Sequence, residues 1–165
     1  MDKPHISVII PLFNEAESVE ELARVLLRTL AGIGKPFEVI VVDDGSTDGT
    51  WQELSKLQGV RAIRLRRNFG QTAALSVGIK EAQGDVIITM DGDLENDPAD
   101  IPRLLQKMEE GYDIVSGWRK DRWQDKFFSR RLSSAAASWL ISFVTDIRLH
   151  DHGCTLKAYR AYLLK

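Results

Sequence analysis

The chain contains one cysteine, Cys154, so no internal disulfide can form and a reducing compartment is the natural fit. It has no apolar block near its start. Met1-Asp2-Lys3-Pro4-His5 leads directly into a short strand, unlike a signal peptide. Long apolar runs are also missing. The greasiest stretch, Ala135 to Val144, is interrupted by serine and falls well short of the ~20 residues that cross a bilayer. There is no excess of positive charge: the net charge is −2, which excludes a general nucleic-acid footprint. Internal repeats, low-complexity tracts and linkers are absent too. What is present is an ordinary globular composition, 44% hydrophobic and 28% charged over 165 residues, which predicts a single soluble domain spanning 1–165 with a core of its own.

Charge is unevenly placed. Between Gly117 and Arg131, six basic residues (Arg119, Lys120, Arg122, Lys126, Arg130, Arg131) against two acids (Asp121, Asp125) leave a segment at +4, so the remainder carries −6. Such asymmetry fits one anion-facing surface, with a solvated charged loop as the plain alternative. From about Lys126 to Thr145, Phe128, Leu132, Ala135, Ala136, Trp139 and Phe143 share one helical face, while Arg130, Arg131 and Ser138 lie elsewhere. A helix at a lipid headgroup layer and a helix packed on the domain's own core both satisfy this pattern.

The rest of the chain alternates short apolar runs with amphipathic segments. Ile6–Ile10 reads as a strand covered on both faces. Asn14 with Glu17 three residues on has the form of a capping box ahead of a helix carrying Val19, Leu22, Val25, Leu26 and Leu30. Phe37–Val42 is a second buried strand, ending in Asp43-Asp44-Gly45-Ser46, with a helix from about Asp48 to Leu57. Arg61–Leu65 is a third, followed by Asn68-Phe69-Gly70 and a helix through Ala82. Asp85–Met90 is a fourth. Asp97-Pro98 supplies a cap and a first-turn proline for a helix to about Glu110, which Gly111 ends, and Asp113–Ser116 is a fifth strand. Strands alternating with helices predict an α/β domain, a mainly parallel sheet with helices on both faces.

A parallel sheet binds ligands beyond the carboxyl ends of its strands, where strand order reverses. Three strands of this chain end in polar or aromatic groups: Pro11-Leu-Phe13-Asn-Glu15, Asp43-Asp44 and Asp91-Gly92-Asp93. If the first and fourth strands are neighbours, the three sets converge on one cleft. Two carboxylates on the Asp91–Asp93 turn repel by a few kcal/mol at intermediate dielectric, so a cation between them is the leading reading, against a solvated Asp-Gly turn. Hard oxygen donors suit Mg²⁺ or Mn²⁺, and Gly92 would allow a sharp turn and close ligand approach. With a nucleoside diphosphate, Phe13 can stack on the base, Asp44 can accept from a ring N–H, and Asp91 with Asp93 can hold the metal on the diphosphate.

Other readings fail on particulars. The G-x-G-x-x-G turn of dinucleotide-binding folds is missing after the first strand, and no P-loop lysine follows a glycine-rich turn. An EF-hand over Asp91, Asp93, Glu95 and Asp97 would need glycine where Asn96 stands and glutamate where Pro102 stands. His150-Asp151-His152 near Cys154 lacks the usual zinc spacing.

Six blocks in order, SVIIPLFNEAES, VIVVDDGSTDGT, RNFGQTAALSVGI, GDVIITMDGDLENDP, GYDIVSGWRKDR and HDHGCTLKAYR, give the chain from about Ile6 to Arg160 its resemblance to a known family. It resembles the family 2 glycosyltransferases of the GT-A, Rossmann-like fold, and within them the polyprenyl-phosphate glycosyltransferases (dolichol-phosphate mannose synthases and undecaprenyl-phosphate sugar transferases). The resemblance implies transfer of a sugar from a UDP- or GDP-linked donor to a polyprenyl phosphate at the cytoplasmic face of a membrane. By position it implies that Pro11, Phe13, Glu15, Asp44, Gly70 and Asp91 hold the nucleotide sugar. Asp91, Asp93 and Glu95 would hold Mg²⁺ or Mn²⁺. Arg119 and Arg131 would meet the diphosphate or the acceptor phosphate, and Asp151 would either orient the acceptor or serve a turn. Glu95 stands where relatives commonly have glutamine, and Phe13 where many have tyrosine. Relatives usually continue with acceptor-site sequence and often membrane helices, so the resemblance leaves two expectations open, a single catalytic domain and a catalytic-domain fragment of a longer protein.

The mechanism implied is direct displacement at the anomeric carbon with inversion. Metal and arginines neutralise the departing diphosphate, and an already ionised lipid phosphate needs no protein base. A nucleotidyltransferase that makes the nucleotide sugar would carry a glycine-rich G-x-G-T-R loop after the first strand, where Pro11–Glu15 stands instead. A catalytically silent nucleotide-sugar or lipid-binding module, and a relative acting on a glycan acceptor, remain as alternatives.

Overall fold

The computed structural model describes residues 3–118 and 154–165. In chain order it contains β1 (Ile6–Leu12), α1 (Val19–Ile33), β2 (Phe37–Asp43), α2 (Thr50–Leu54), β3 (Arg61–Arg64), α3 (Gln71–Glu81), β4 (Val86–Thr89), α4 (Ile101–Glu109), β5 (Ile114–Ser116) and β6 (Lys157–Arg160). The strands form one sheet in the order β3-β2-β1-β4-β6-β5. Pairings β1–β2, β2–β3 and β1–β4 are parallel, whereas β6 runs antiparallel to both β4 and β5.

The pleat explains the layers. All seven residues of β1 are buried, and successive side chains point to opposite faces. Ile6, Val8, Ile10 and Leu12 join Leu22, Leu26 and Leu30 of α1 and Leu104, Leu105 and Met108 of α4 in one cluster. Ile9 lies in the other cluster, with Ile40, Val42, Ile87 and Ala74 of α3. Helices therefore cover both faces, as the alternating pattern predicts. Burying a leucine such as Leu26, which is fully enclosed, contributes roughly 1.5–3 kcal/mol.

The chain builds outward from β1 through β2 to β3, then returns to lay β4 on the other side of β1. That return is the reversal at which parallel sheets open a crevice. The expected adjacency of first and fourth strands is met: Ile6 to Ile9 lie in register with Val86 to Thr89.

Two local readings need correction, and a sixth strand joins the five expected. Asn14 does not cap α1. It sits at φ 58, and its Oδ1 accepts from the Thr47 amide at 2.9 Å, while α1 begins at Val19 after Ser18. Asparagine tolerates the left-handed region, so it serves as a link between two loops. The helix expected over 48–57 is only Thr50–Leu54. Asp48 stays outside it, where Oδ1 accepts from the Thr50 amide at 2.9 Å and from the Thr50 hydroxyl at 2.5 Å. The sixth strand, Lys-Ala-Tyr-Arg, carries one fully buried residue, Ala158. It lacks the apolar run by which the other inner strands announce themselves. Asp97 behaves as expected, accepting from the Ala99 amide at 2.8 Å ahead of Pro98. The amphipathic helix expected over 126–145 lies outside the described residues.

Candidate active site

The carboxyl ends of β1, β2 and β4 meet in a cleft of about 370 Å³. Pro11, Phe13 and Glu15 enter it from β1, Asp44 from β2, Gly70 from the loop before α3, and Asp91 and Asp93 from β4. The six residues expected to hold a nucleotide sugar, and Asp93 expected on the metal, thus share one wall system. Glu95 does not line it: it lies on the exposed turn beyond, with its amide donated to Asp93 Oδ1 at 3.0 Å. Arg119, Arg131 and Asp151 lie outside the described residues. A larger groove, about 660 Å³ between α1 and α4, is lined by Arg28, Leu105 and Glu109 among others. Among the described residues no strand end lines it and Glu109 is its one acid, so the smaller cleft is the candidate.

The cleft is held by backbone groups captured on side chains. The Asp44 amide donates to Leu12 O at 2.8 Å, tying β2 to β1. Asp44 is buried at 2% exposure. Its Oδ1 accepts from the Phe69 amide and its Oδ2 from the Gly70 amide, each at 2.8 Å. Two adjacent amides on two oxygens make a charge-assisted clamp that shapes the loop before α3. Neighbouring Asp43 is fully buried. Its Oδ1 accepts from the Ser46 amide at 2.9 Å. Its Oδ2 lies 3.3 Å from Arg64 Nε, close enough for charge attraction but without hydrogen-bond alignment.

Gly45, at φ +71, lies against the next loop so closely that a Cβ would come within 2.3 Å of the Arg67 carbonyl carbon. Only glycine satisfies both the conformation and the contact. Gly92 has another reason for being glycine than the one expected. It is not in the positive-φ region, and a Cβ there would meet Leu12 Cδ2 at 1.9 Å. Its small size lets the β4 turn settle onto the end of β1.

At the acidic turn, both Asp91 oxygens are engaged. Oδ1 accepts from Gln71 Nε2 at 2.6 Å, and Oδ2 from the Thr155 hydroxyl at 2.5 Å. Thr155 in turn accepts from Asn96 Nδ2 at 3.1 Å, and its carbonyl accepts from the Thr89 hydroxyl at 2.8 Å. Among the described residues no three Asp, Glu, His or Cys side chains gather as a metal cage. The donor set still fits a hard divalent cation, since Mg²⁺ is usually held by one or two carboxylates together with substrate phosphates and water. Asp91 and Asp93 are the two carboxylates that the acidic turn brings to the cleft.

Sequence reasoning missed Asn68 and Gln71, which also line the cleft, and Thr155 with Asn96 behind Asp91. Gln71 follows Gly70 at the first position of α3, a place where a polar side chain faces the strand ends. Thr155 carried no signal before β6 was seen.

An open cleft at the β1–β4 reversal, with an acidic pair, a buried clamp carboxylate and an exposed aromatic, marks the candidate site of a doubly covered α/β domain. Residues 7–165 match the family model "Glycosyl transferase family 2", and the chain belongs to that family. It is 44% identical over 166 residues to dodecaprenyl-phosphate galacturonate synthase of Rhizobium johnstonii, a match covering 97% of this chain and 49% of that protein. It is 40% identical over 165 residues to undecaprenyl-phosphate 4-deoxy-4-formamido-L-arabinose transferase of Edwardsiella ictaluri, covering 97% and 50%. The chain thus spans about half the length of these curated relatives. In structure it resembles glucosyl-3-phosphoglycerate synthase from Mycobacterium tuberculosis, solved in complex with Mn²⁺, UDP and glucosyl-3-phosphoglycerate. The TM-score is 0.75 at 21% identity, covering 97% of this chain and 58% of the other. The fold is GT-A.

Proposed function

We propose that this domain binds a nucleoside-diphosphate sugar in the 370 Å³ cleft and transfers the sugar, with inversion, to a polyprenyl phosphate at the cytoplasmic face of a membrane. The observation that carries the reading is the meeting of Phe13, Asp44, Asp91 and Asp93 at the β1–β4 reversal. The polyprenyl-phosphate acceptor is supported by the two relatives at 44% and 40% identity, whose names carry that lipid class.

Each residue has a task that follows from its surroundings. Phe13, 42% exposed, offers a face on which a base stacks. Asp44 keeps one lone pair on each oxygen beyond those that take the Phe69 and Gly70 amides, so it can still accept from a ring N–H of the base. Asp91 and Asp93 would hold Mg²⁺ or Mn²⁺, which when bound supplies positive charge against the departing diphosphate. Arg119 and Arg131 are assigned to the diphosphate or the acceptor phosphate, and Asp151 to orienting the acceptor. Glu95 is left as an outer residue of the acidic turn.

A panel of UDP- and GDP-sugars offered with a short polyprenyl phosphate to the full-length chain tests donor, acceptor and reaction class together. Release of the nucleoside diphosphate only when the lipid phosphate is present is the expected result. Transfer confined to water, protein or a glycan refutes the lipid acceptor.

A further inference from the structure

The carboxylate of Asp91 is held from two sides, and one of the two holders comes from the far end of the chain. A carboxylate can only accept, so the short contact from Thr155 Oγ1 to Asp91 Oδ2, 2.5 Å, places the hydroxyl proton on the line between them. The Thr155 oxygen must then receive its other partner as an acceptor, and Asn96 Nδ2 meets it at 3.1 Å. Asn96 is 3% exposed, and its Oδ1 takes the Cys154 thiol at 3.7 Å. With the amide oxygen facing sulfur and the amide nitrogen facing Thr155, the direction of every hydrogen bond is set, and such chains strengthen one another. The Thr89 hydroxyl anchors the Thr155 carbonyl at 2.8 Å, fastening the residue to the end of β4. On the other side, Gln71 Nε2 holds Asp91 Oδ1 at 2.6 Å.

We propose that Thr155 is a positioning residue for the nucleotide–metal site: fixed by Asn96, its hydroxyl orients Asp91 so that the carboxylate presents its remaining lone pairs to the cation without reorganising. This inference rests on the reading of Asp91 and Asp93 as the metal-holding pair. Partners that orient metal-binding side chains typically change metal affinity about 10–100-fold when removed. The same substitution should leave base and ribose contacts alone, because Thr155 is not among the residues lining the cleft.

The test compares UDP affinity by calorimetry in excess Mn²⁺ and in EDTA, using the full-length chain. The ratio of the two is the metal enhancement. Thr155→Val should lower that ratio by about tenfold or more, with affinity in EDTA unchanged, and Thr155→Ser should restore it. Should the valine variant melt below the assay temperature, Thr155→Ala removes the hydroxyl with less bulk. Full enhancement in the variant lacking the hydroxyl, or a serine variant as weak as valine, overturns this inference alone. A parent protein with no manganese enhancement overturns the metal assignment of Asp91 and Asp93 along with it.

Discussion

Asp44 closes on Gly70 across the mouth of the cleft, its Oδ2 accepting the glycine amide at 2.8 Å while Oδ1 takes the amide of Phe69 at the same distance. A side chain at the end of one strand thereby shapes the loop that follows another. Asp44→Asn would turn one of the two acceptors into a donor facing an amide N–H. The expected outcome is loss of UDP affinity by at least tenfold, in line with about 1.5–3 kcal/mol for hydrogen bonds to a charged group. Faster hydrogen exchange at the amides of residues 69 and 70 should accompany it. Unchanged exchange there would show that the clamp is dispensable.

Asp93 is exposed, and among the described residues its carboxylate accepts the Glu95 amide at 3.0 Å. Asp93→Ala should therefore leave the melting temperature nearly unchanged while reducing metal-dependent kcat/KM by about 100-fold or more, the scale of a lost electrostatic group in a transition state. Near-parental turnover in that variant would remove Asp93 from the metal site.

Gly92 and Leu12 form a size-matched pair, since a Cβ on the glycine would stand 1.9 Å from Leu12 Cδ2. Gly92→Ala should destabilise the fold by about 1–3 kcal/mol through overpacking. Combined with Leu12→Val it should be milder than the two single effects added together. Denaturant titration of all four proteins measures the coupling, which for residues in contact is about 0.5 kcal/mol or more. Strict additivity would deny the contact.

Asp48 links stability to pH. The Thr50 hydroxyl, foremost among its donors, lowers the carboxyl below its ordinary value, with the Thr50 and Ala16 amides adding to the effect. A carboxyl depressed in the folded state stabilises above its unfolded pKa of about 3.9, and that contribution disappears as pH falls through the lower folded value. Asp48→Asn should therefore be less stable than the parent near neutrality, with the difference shrinking below pH of about 4. Thermal melts across that window would decide it, and a gap independent of pH would assign the loss to shape instead of charge.

Much of this arrangement could be read before any coordinates, and the reasons are specific. The runs from Ile6 and Phe37 are apolar because their strands are covered on both faces. Their polar ends stand out because a parallel sheet delivers strand ends to one side. Hence Pro11, Phe13, Asp44, Asp91 and Asp93 could be grouped without knowing a single distance. What escaped notice depended on contacts between distant segments. Asn14 matched a capping pattern, yet its side chain is spent on Thr47. Gly92 was read as allowing a sharp turn and close ligand approach, while its small size makes room for Leu12. Thr155 lies 64 positions from Asp91, and no local pattern marks a hydroxyl that acts across such a separation.

The opposed direction of β6 has a consequence for how the chain can be altered. Lys157 pairs with Thr89 and Arg160 with Val86, so the residues just ahead of this strand arrive at the rim of the cleft and those after it emerge at the opposite edge. Sequence inserted between Cys154 and Lys157 would pull on the acidic turn, whereas a change beyond Arg160, where the Ala161 amide donates to Asp85 O at 2.9 Å, would act on the underside and leave the cleft unobstructed.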